Sequence, residues 1–299
     1  MKMKRSEKLG MFTGLVVGVL LLLISVFMIF QTTCKVWGAE KPANATQQGI
    51  DVSSHQGKID WEQVKNSALA DYAIIRCGYG VNQTDKDDKY WDYNSSECER
   101  LGIPYGTYLY SGADTTAKAK SEAEHVVRLL QGKNLTYPIY YDMEADMLNQ
   151  LSSTQIGNIA KTFLNTMESY GYKNVAVYSN KYLFETKLTA TVFSDYPKWI
   201  AQHSNKCTYQ GSYHMWQYST QGVIPGISEK VDLNYKIGNW TYAGYSPAKK
   251  PVVAKPKATT IKSLKKSGKK AIKELNVYYQ PETNMVYYTA DGTEGSFSL

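Results

Sequence analysis

Two carboxylic acids follow one apolar run of the sequence. Residues 138–141 are apolar or aromatic and lead directly into Asp142, Met143 and Glu144. Because side chains alternate between the two faces of a β-strand, Asp142 and Glu144 point to the same side. Two like charges held close together do not ionise independently, so one acid keeps its proton to a higher pH. A general acid needs this property in order to protonate a glycosidic oxygen near neutral pH.

Two further acids occupy matching positions in the chain. Asp51 lies in the first candidate strand and Asp232 lies in the last. If the sheet closes into a barrel, the first and last strands are neighbours, and all four acids can flank the same opening. We therefore predict a catalytic cluster of Glu144, Asp142, Asp51 and Asp232. The competing interpretation is that strand ends carry acids only because they meet solvent.

Aromatic residues are frequent at the same strand ends. A groove lined by aromatic rings and carboxylates suits sugars, whose C–H faces stack on rings while their hydroxyls form hydrogen bonds. The candidates for substrate binding are Tyr108, Tyr110, Tyr178, Trp199, Trp216 and Tyr218. The alternative is that aromatic residues in strands belong to the hydrophobic core.

The elements that must position these side chains are short runs rich in β-branched and aromatic residues. Eight runs are candidate strands: 49–53, 72–79, 104–111, 137–144, 174–180, 196–202, 213–219 and 231–235. Helical spacing between the first five predicts helices at 59–67, 90–101, 115–130 and 154–170. Thr115 is a candidate N-cap of the third helix, and Ser152 or Ser153 of the fourth.

This order of elements predicts the fold class. Strands that alternate with helices form parallel β-α units, and eight strands favour closure into a barrel. The last three strands have only short connections, so we predict an α/β fold with an irregular TIM-like β/α barrel over residues 49–245. The second choice is an open, doubly wound sheet. That fold should carry a glycine-rich phosphate loop after its first strand, and the sequence has none there.

The N-terminus has the pattern of a membrane anchor. Four basic residues within 1–10 precede an uncharged stretch at 11–30, and about 20 residues are needed for a helix to span a bilayer. We predict a transmembrane signal-anchor at 11–30, followed by a linker at 31–48. The basic flank keeps segment 1–10 in the cytoplasm and the rest of the chain outside the cell membrane. The alternative is a cleaved signal peptide and a secreted protein.

The net charge of +7 is distributed unevenly along the chain. Residues 43–246 hold 18 Lys or Arg and 21 Asp or Glu, whereas residues 247–273 hold ten lysines and no acid. The main domain therefore gives no indication of nucleic-acid binding. The basic character belongs to a tail that an anionic polymer would attract.

The C-terminal part has the composition of a linker and a small appendage. The Lys/Pro-rich stretch 246–273 cannot bury a core and is predicted to be extended. Within 274–299, Val-Tyr-Tyr occurs at 277–279 and again at 286–288. This repeat predicts one or two β-hairpins, which are too small to be stable alone. They either pack on the barrel or bind a substrate polymer.

The sequence contains no pattern typical of a metal or cofactor site. His55, His125, His203 and His214 lack metal-ligand spacing, and we expect neither a metal nor a cofactor. Beyond Cys34, the main domain holds Cys77, Cys98 and Cys207. At most one disulfide can form among these three, and the sequence does not identify the pair.

Several motifs, taken in order, resemble the family 25 glycoside hydrolases, the Chalaropsis-type lysozymes or N-acetylmuramidases. These motifs are Gly-Ile-Asp-Val-Ser at 49–53 with His-Gln-Gly at 55–57, Asp-Met-Glu at 142–144, Trp-Gln-Tyr at 216–218 and Val-Asp-Leu-Asn at 231–234. The resemblance covers residues 49–240, and the ordered set is more specific than any one motif. It implies an irregular β/α barrel that cleaves the β-1,4 bond between N-acetylmuramic acid and N-acetylglucosamine in peptidoglycan.

The resemblance also implies roles for particular residues. Glu144 would be the proton donor, Asp142 would lie beside the anomeric centre, and Asp51 and Asp232 would lie in the cleft. Four of the aromatic candidates would line the sugar groove: Tyr108, Tyr178, Trp199 and Trp216. Carboxyls about 5–5.5 Å apart predict a retaining reaction and roughly 6.5–9.5 Å an inverting one. We favour retention, in which the N-acetyl group of the substrate could also serve as the nucleophile with Asp142 assisting.

The expected protein is thus a monomeric, membrane-tethered lysozyme that acts on peptidoglycan glycan strands in wall remodelling or turnover. Its lysine-rich tail would be attracted to anionic wall polymers. Two alternatives stay open on the residues alone. One is a wall-binding or adhesion module without turnover, and the other is a hydrolase of a chitin-like polymer.

Overall fold

The computed structural model describes residues 39–240 and three short segments, 275–280, 285–290 and 293–298. The long segment and the three short ones belong to separate compact units of the chain. The predicted membrane span at 11–30 and the predicted linker at 246–273 lie outside the described residues. Among the residues that are described, no helix has the length and apolar character needed to cross a bilayer.

Eight strands form a closed barrel, and their order around the barrel is their order in the sequence. They are β1 (Ala45–Val52), β2 (Tyr72–Tyr79), β3 (Tyr105–Tyr110), β4 (Ile139–Asp142), β5 (Val175–Asn180), β6 (Lys198–Ala201), β7 (Met215–Gly222) and β8 (Val231–Ile237). Each overlaps one candidate strand, although β1 begins at Ala45, within the predicted linker 31–48. The closed barrel confirms the predicted architecture over an open sheet. The sequence predicted that the fourth strand ends at Glu144, but in the structure it ends at Asp142.

The eighth strand runs against the others. Neighbouring strands from β1 to β7 are parallel, whereas β8 is antiparallel to both β7 and β1. Only residues 223–230 connect β7 to β8, and a parallel crossover needs about a dozen residues or more. The short connection therefore forces β8 to run antiparallel to its neighbours. This reversal is the irregularity of the barrel that the short connections predicted. As a result, the N-terminal end of β8 meets the C-terminal ends of the other strands.

Six α-helices lie between the barrel strands. They are α1 (Trp61–Ser67), α2 (Trp91–Leu101), α3 (Thr116–Leu129), α4 (Ser153–Ser169), α5 (Lys181–Thr186) and α6 (Val192–Asp195). The four predicted helices are confirmed within about two residues at each end. The predicted caps are present too, because the side chains of Thr115 and Ser152 accept hydrogen bonds from the backbone N–H groups of Lys118 and Gln155. The two short helices after β5 were not predicted.

Side chains alternate between the two faces of each strand, so the barrel has two buried regions: an outer core between the strands and the helices, and an interior inside the barrel. Ile50 and Val177 belong to the same buried cluster as Ile156 and Phe163 of α4, so these strand residues face the helices. A second buried cluster fills the inside of the barrel, and its strand members are Tyr72, Ile74, Tyr140, Ala176, Tyr178, Trp199, Ala201 and Met215. The interior is thus a packed aromatic core, above which polar residues occupy the C-terminal ends of the strands.

The second unit contains a three-stranded antiparallel sheet. Its strands are β9 (Leu275–Gln280), β10 (Met285–Ala290) and β11 (Thr293–Ser298), with β10 in the centre. The two copies of Val-Tyr-Tyr pair with each other, because Val286, Tyr287 and Tyr288 lie opposite Tyr279, Tyr278 and Val277. The repeat therefore corresponds to the first hairpin of the sheet, and β11 adds a second.

Candidate active site

The four predicted acids converge at the C-terminal end of the parallel strands. Asp142 is the last residue of β4, and Glu144 follows two residues later. Asp51 lies near the end of β1 and is the register partner of Asp232, the second residue of the reversed β8. Reversal of β8 is what brings Asp232 to this end of the barrel. The structure thus unites all four carboxyls, although they span most of the domain in sequence.

The backbone around Met143 explains why Asp142 and Glu144 share a side. The Met143 N–H donates to the carbonyl of Tyr178 at 2.9 Å, so pairing with β5 continues one residue beyond the end of β4. The Met143 side chain is buried in the outer core, which leaves its two neighbours directed to the interior. The predicted alternation therefore holds, although the strand is shorter than expected.

The electrostatics of the cluster indicate that its members affect one another. Burial raises the pKa of Asp142 well above its usual value, and the charges of Glu144 and Asp51 raise it further. Burial and the charge of Asp51 also raise the pKa of Glu144, whereas His203 lowers it. Such a cluster retains protons at a pH where isolated carboxylic acids are ionised.

Asp51 and Asp232 form a second coupled pair. Burial, followed by the charge of Asp232, raises the pKa of Asp51 well above its usual value. Burial raises the pKa of Asp232 to about 6, and the charge of Glu144 also raises it. The two carboxyls are within hydrogen-bonding reach of each other. This arrangement favours a proton shared between the two carboxyls.

Two amide side chains hold Asp51 in position. Its Oδ2 accepts hydrogen bonds from Gln217 Nε2 at 3.0 Å and from Asn234 Nδ2 at 2.7 Å. The orientation of each amide is set by a donor on its oxygen: Trp199 Nε1 donates to Asn234 Oδ1 at 2.8 Å, and the Tyr178 hydroxyl donates to Gln217 Oε1 at 3.0 Å. Sequence reasoning did not select Gln217 or Asn234, but alternation placed Asn234 on the same face as Asp232.

Arg76 is a further residue at the site that sequence reasoning missed. Its guanidinium donates from Nε to Asp88 at 2.8 Å and from a terminal nitrogen to the hydroxyl of Ser54 at 2.9 Å. Its positive charge lowers the pKa of Asp142, in opposition to burial. Tyr72, Ile74 and Arg76 alternate along β2, and the first two face the interior of the barrel. This spacing could have predicted from the sequence that Arg76 also points inward.

Four of the six aromatic candidates lie near the acids. The rings of Tyr178 and Tyr108 lie 4.4 and 6.3 Å from the ring of Trp199, centroid to centroid. Trp199 is only 1% exposed, and its Nε1 donates a hydrogen bond to Asn234. Its ring therefore lies at the bottom of the site. Tyr110 at the end of β3 is partly exposed, and the charges of Asp142 and Glu144 act on its hydroxyl.

The structure does not bring Trp216 and Tyr218 into the barrel, contrary to expectation. Gln217 points inward to Asp51, so alternation directs its two neighbours outward. Trp216 is 0% exposed in the outer core, where its Nε1 donates to the carbonyl of Gln202 at 2.8 Å. The ring of Tyr218 stacks on that of Tyr235 at 4.4 Å. Both therefore have core contacts, which was the alternative interpretation of strand aromatics, although Tyr218 also lines a cavity beside the site.

The oxygen Oδ1 of Asp142 is available to a ligand. It is buried and has no hydrogen-bond partner among the residues that the structure describes. An orphaned buried acceptor is costly, and an N–H or O–H donor on a bound molecule would remove this cost. Glu144 is less deeply buried than Asp142, so it can reach a substrate from the rim of the site.

Three cysteines lie in the barrel domain. Cys77, Cys98 and Cys207 are free, so the single intradomain disulfide that the sequence allowed is not formed. Within the described ranges, no group of three or more His, Cys, Asp or Glu side chains is arranged to hold a metal ion.

Comparison with known proteins gives a consistent result. The sequence profile of the family described as glycosyl hydrolases family 25 matches residues 50–227. An autolytic lysozyme of Clostridium acetobutylicum is 30% identical over 188 residues, which are 62% of this chain and 55% of the relative. Lysozyme M1 of Streptomyces globisporus is 27% identical over 200 residues, or 62% of this chain and 66% of the relative. This chain thus spans only about half the length of the first of these relatives.

Solved structures are similar over the same region. The modular autolysin LytC from Streptococcus pneumoniae, also solved with a synthetic peptidoglycan ligand, is 33% identical with a TM-score of 0.58. The match covers 63% of this chain and 46% of LytC. A family 25 glycosyl hydrolase from Bacillus anthracis has a TM-score of 0.58 at 21% identity, covering 68% of this chain and 94% of that one. This second likeness supports the fold alone.

Proposed function

Because the chain belongs to family 25 of the glycosyl hydrolases, we propose that it is a lysozyme that hydrolyses peptidoglycan. The bond cleaved is the β-1,4 linkage between N-acetylmuramic acid and N-acetylglucosamine. The observation that carries this proposal is the convergence of Glu144, Asp142, Asp51 and Asp232 at one end of the barrel. Two similar proteins that are named lysozymes give independent support. The role that fits such an activity is remodelling or turnover of the cell wall.

Glu144 is the proposed proton donor. It is partly exposed, and burial together with the charge of Asp51 raises its pKa, so that it can hold a proton where an ordinary glutamic acid has lost one. In the first step its proton passes to the glycosidic oxygen as the bond to the leaving sugar breaks. In the second step the resulting carboxylate accepts a proton from the attacking water.

Asp142 is proposed to assist at the anomeric centre. Its unpartnered Oδ1 suits the N–H of the substrate's 2-acetamido group. That hydrogen bond makes the acetamido carbonyl oxygen a better nucleophile, and this oxygen forms a bond to the anomeric carbon while the leaving oxygen departs. Water then opens the cyclic intermediate from the opposite face. Two displacements at one carbon give a product with retained configuration.

Asp51 and Asp232 are proposed to stabilise the positive charge that develops on the sugar ring. Gln217 and Asn234 keep Asp51 oriented toward the interior, and a shared proton limits the repulsion between the two acids. Fixed charges in a site that excludes water act more strongly than charges in solution. The partly exposed rings of Tyr108 and Tyr110 would line the groove that holds the glycan strand.

Placement of the enzyme outside the cell membrane is also proposed. It is supported by the basic residues within 1–10 and the uncharged stretch 11–30, which match a single-pass anchor. The ten lysines of 247–273 would add attraction to anionic wall polymers. We propose that the protein acts as a monomer and binds no nucleic acid. Membrane fractionation together with the mass of the mature protein distinguishes an anchored from a secreted form.

The proposed activity is tested by incubating the full chain with purified peptidoglycan and measuring new reducing ends. We expect Glu144→Gln to reduce the rate by at least about a hundredfold, since general acid catalysis contributes about 10²–10⁴-fold. Asp146→Asn is the matched control, because Asp146 is exposed and lies two residues beyond Glu144. NMR of the first products should show retained configuration at the anomeric carbon.

Each other outcome identifies a different protein. Binding to the wall without new reducing ends would indicate an adhesion module, and faster cleavage of chitin oligomers than of peptidoglycan would indicate a chitin-type hydrolase. An unchanged rate in Glu144→Gln would remove the proposed mechanism. Inversion at the anomeric carbon would leave the activity intact but exclude the acetamido group as the nucleophile.

A further inference from the structure

A cavity of about 480 Å³ opens beside the candidate active site. It lies between the segment that follows β6 and the C-terminal half of β7, with Lys230 just before β8 also in its wall. More of its surface is apolar than polar, and Tyr218 contributes to it. The residues that offer hydrogen-bonding groups and matter here are His203, Ser204, Asn205, Thr220, Gln221 and Lys230. Ligand pockets usually measure about 300–1,000 Å³, so the cavity can hold a substituent of a sugar and not only a water molecule.

The cavity is connected to the catalytic cluster through one side chain. His203 lies in its wall, and the Nε2 of His203 is 2.9 Å from Gln217 Oε1. Gln217 in turn donates to Asp51. The charge of His203 acts on Glu144 and lowers its pKa. The cavity therefore adjoins the catalytic cluster through His203 and Gln217.

The charge of the cavity is opposite to that of the cluster. Lys230 is exposed, and it forms no ion pair with the residues that the structure describes. Its backbone carbonyl accepts a hydrogen bond from Gln56 Nε2 at 3.0 Å, which ties this segment to the residues that follow β1. The four acids repel any negatively charged group on a substrate, whereas Lys230 attracts one.

We propose that this cavity binds a carboxylate carried by the glycan strand near the cleaved bond, with Lys230 as its counter-ion. This inference rests on the proposed function, since it names a substituent of the peptidoglycan substrate. Wall glycans carry carboxylates on the peptide that is attached to the lactyl group of N-acetylmuramic acid or, where this peptide has been removed, on the lactyl group itself. The small polar side chains around Lys230 suit the hydrogen bonds of either source.

The test compares Lys230→Gln and Lys230→Glu with Lys206→Gln in the full chain. Lys206 is an exposed lysine of the segment that follows β6, and it does not line the cavity, so it controls for net charge. The substrates are glycan strands with intact peptides, strands whose peptides an amidase has removed, and chitin oligomers without carboxylates. We expect Lys230→Gln to raise KM about tenfold on the carboxylate-bearing strands with kcat little changed, as for loss of one charge-assisted hydrogen bond. Lys230→Glu should raise KM further.

The three substrates identify the source of the carboxylate. An increase in KM only on strands with peptides indicates a carboxylate of the peptide. An increase only on the amidase-treated strands indicates the lactyl carboxylate, which is free only there, and an increase on both means that the cavity accepts either group. The proposal is overturned if Lys230→Gln behaves like Lys206→Gln, or if it weakens binding of chitin oligomers equally.

A binding measurement separates this proposal from the proposed catalytic function. Affinity for a soluble muramyl-peptide fragment is measured by calorimetry in Glu144→Gln, with and without Lys230→Gln. Weaker binding in the double variant supports the carboxylate site even if the wild type forms no reducing ends. Equal binding in the two variants rejects the site even if the wild type is fully active.

Discussion

At Asp51, two amide donors converge on one carboxylate oxygen while the carboxyl of Asp232 lies within hydrogen-bonding reach. The donors favour a negative charge on this oxygen, and burial together with the neighbouring acid opposes it. A shared proton satisfies both demands, because one carboxyl then donates to the other. The arrangement keeps negative charge at the site at a cost to the stability of the folded protein.

The stability cost can be measured at Asp232. Its pKa is raised to about 6 from an ordinary value of 3.8, so between these values the folded protein holds a proton that the unfolded chain has released. The free energy of unfolding therefore falls as pH rises through this window. We expect Asp232→Asn to remove this loss and to raise the free energy of unfolding at pH 7 by roughly 1 to 3 kcal/mol.

Urea denaturation between about pH 4 and pH 7 measures this effect. The control is Asp195→Asn, since Asp195 is exposed and should leave the pH dependence as in the wild type. If Asp232→Asn keeps the wild-type slope with pH and gains no stability at pH 7, the raised pKa of Asp232 is refuted.

A second residue-scale prediction concerns the pH dependence of the rate. A proton donor must be protonated, so kcat/KM falls as pH rises past the pKa of Glu144. Burial and Asp51 raise this pKa, whereas His203 lowers it. We expect His203→Asn to move the alkaline limb of the pH profile of kcat/KM to higher pH. His55→Asn serves as the control, and a limb that stays in place in His203→Asn excludes this role of His203.

At the scale of elements, helix α3 contributes a buried carboxylate that holds the ends of β3 and β4 together. Glu122 accepts hydrogen bonds from the hydroxyl of Ser111 at 2.9 Å, the N–H of Gly112 at 2.7 Å and the hydroxyl of Tyr141 at 2.6 Å. Tyr141 directly precedes Asp142 in β4. Glu122 of α3 thus holds in place the end of β4, which carries Asp142.

We expect Glu122→Ala to lower the free energy of unfolding by about 2–4 kcal/mol, because it removes the acceptor of the buried Tyr141 hydroxyl and of the Gly112 N–H. Glu124→Ala on the same helix is the comparison, since its ion pair with Lys120 at 3.9 Å is partly exposed and should contribute less than about 1 kcal/mol. Chemical denaturation of both variants measures the difference. Equal losses in the two variants would mean that the Glu122 network contributes little.

The elements differ in how far the sequence predicts them. Helices α3 and α4 carry long apolar periodicity and recognisable caps, so their positions follow from local signals. Helices α5 and α6 have six and four residues, too few to establish a period. Strand β7 buries residues on both faces, so hydrophobicity does not tell inside from outside. For this reason Trp216 and Tyr218 were assigned to the groove, while Gln217, which contacts Asp51, was overlooked.

On the scale of the whole molecule, the four acids, the eight barrel strands and the family match all fall within the first compact unit. That unit could be predicted because the acids and aromatic residues at its strand ends are recognisable in the sequence. The membrane anchor, the linker and a wall-binding role for 274–299 remain predictions that depend on composition. The reversal of β8 follows from its short connection, and with it the position of Asp232 could be anticipated.

The antiparallel seam between β1 and β8 also bears on how the chain folds. It joins residues that are very far apart in sequence, such as Asn234 and Asp51, which are separated by 183 positions. Contacts of this range form slowly, because a long loop must be ordered before they stabilise anything. The barrel is therefore expected to close late, at the same seam where Asp51 and Asp232 meet. At mildly acidic pH the carboxyls of Asp51 and Asp232 bind protons more readily, so less charge has to be buried when β1 and β8 pair. We therefore expect a higher yield of refolding at mildly acidic pH.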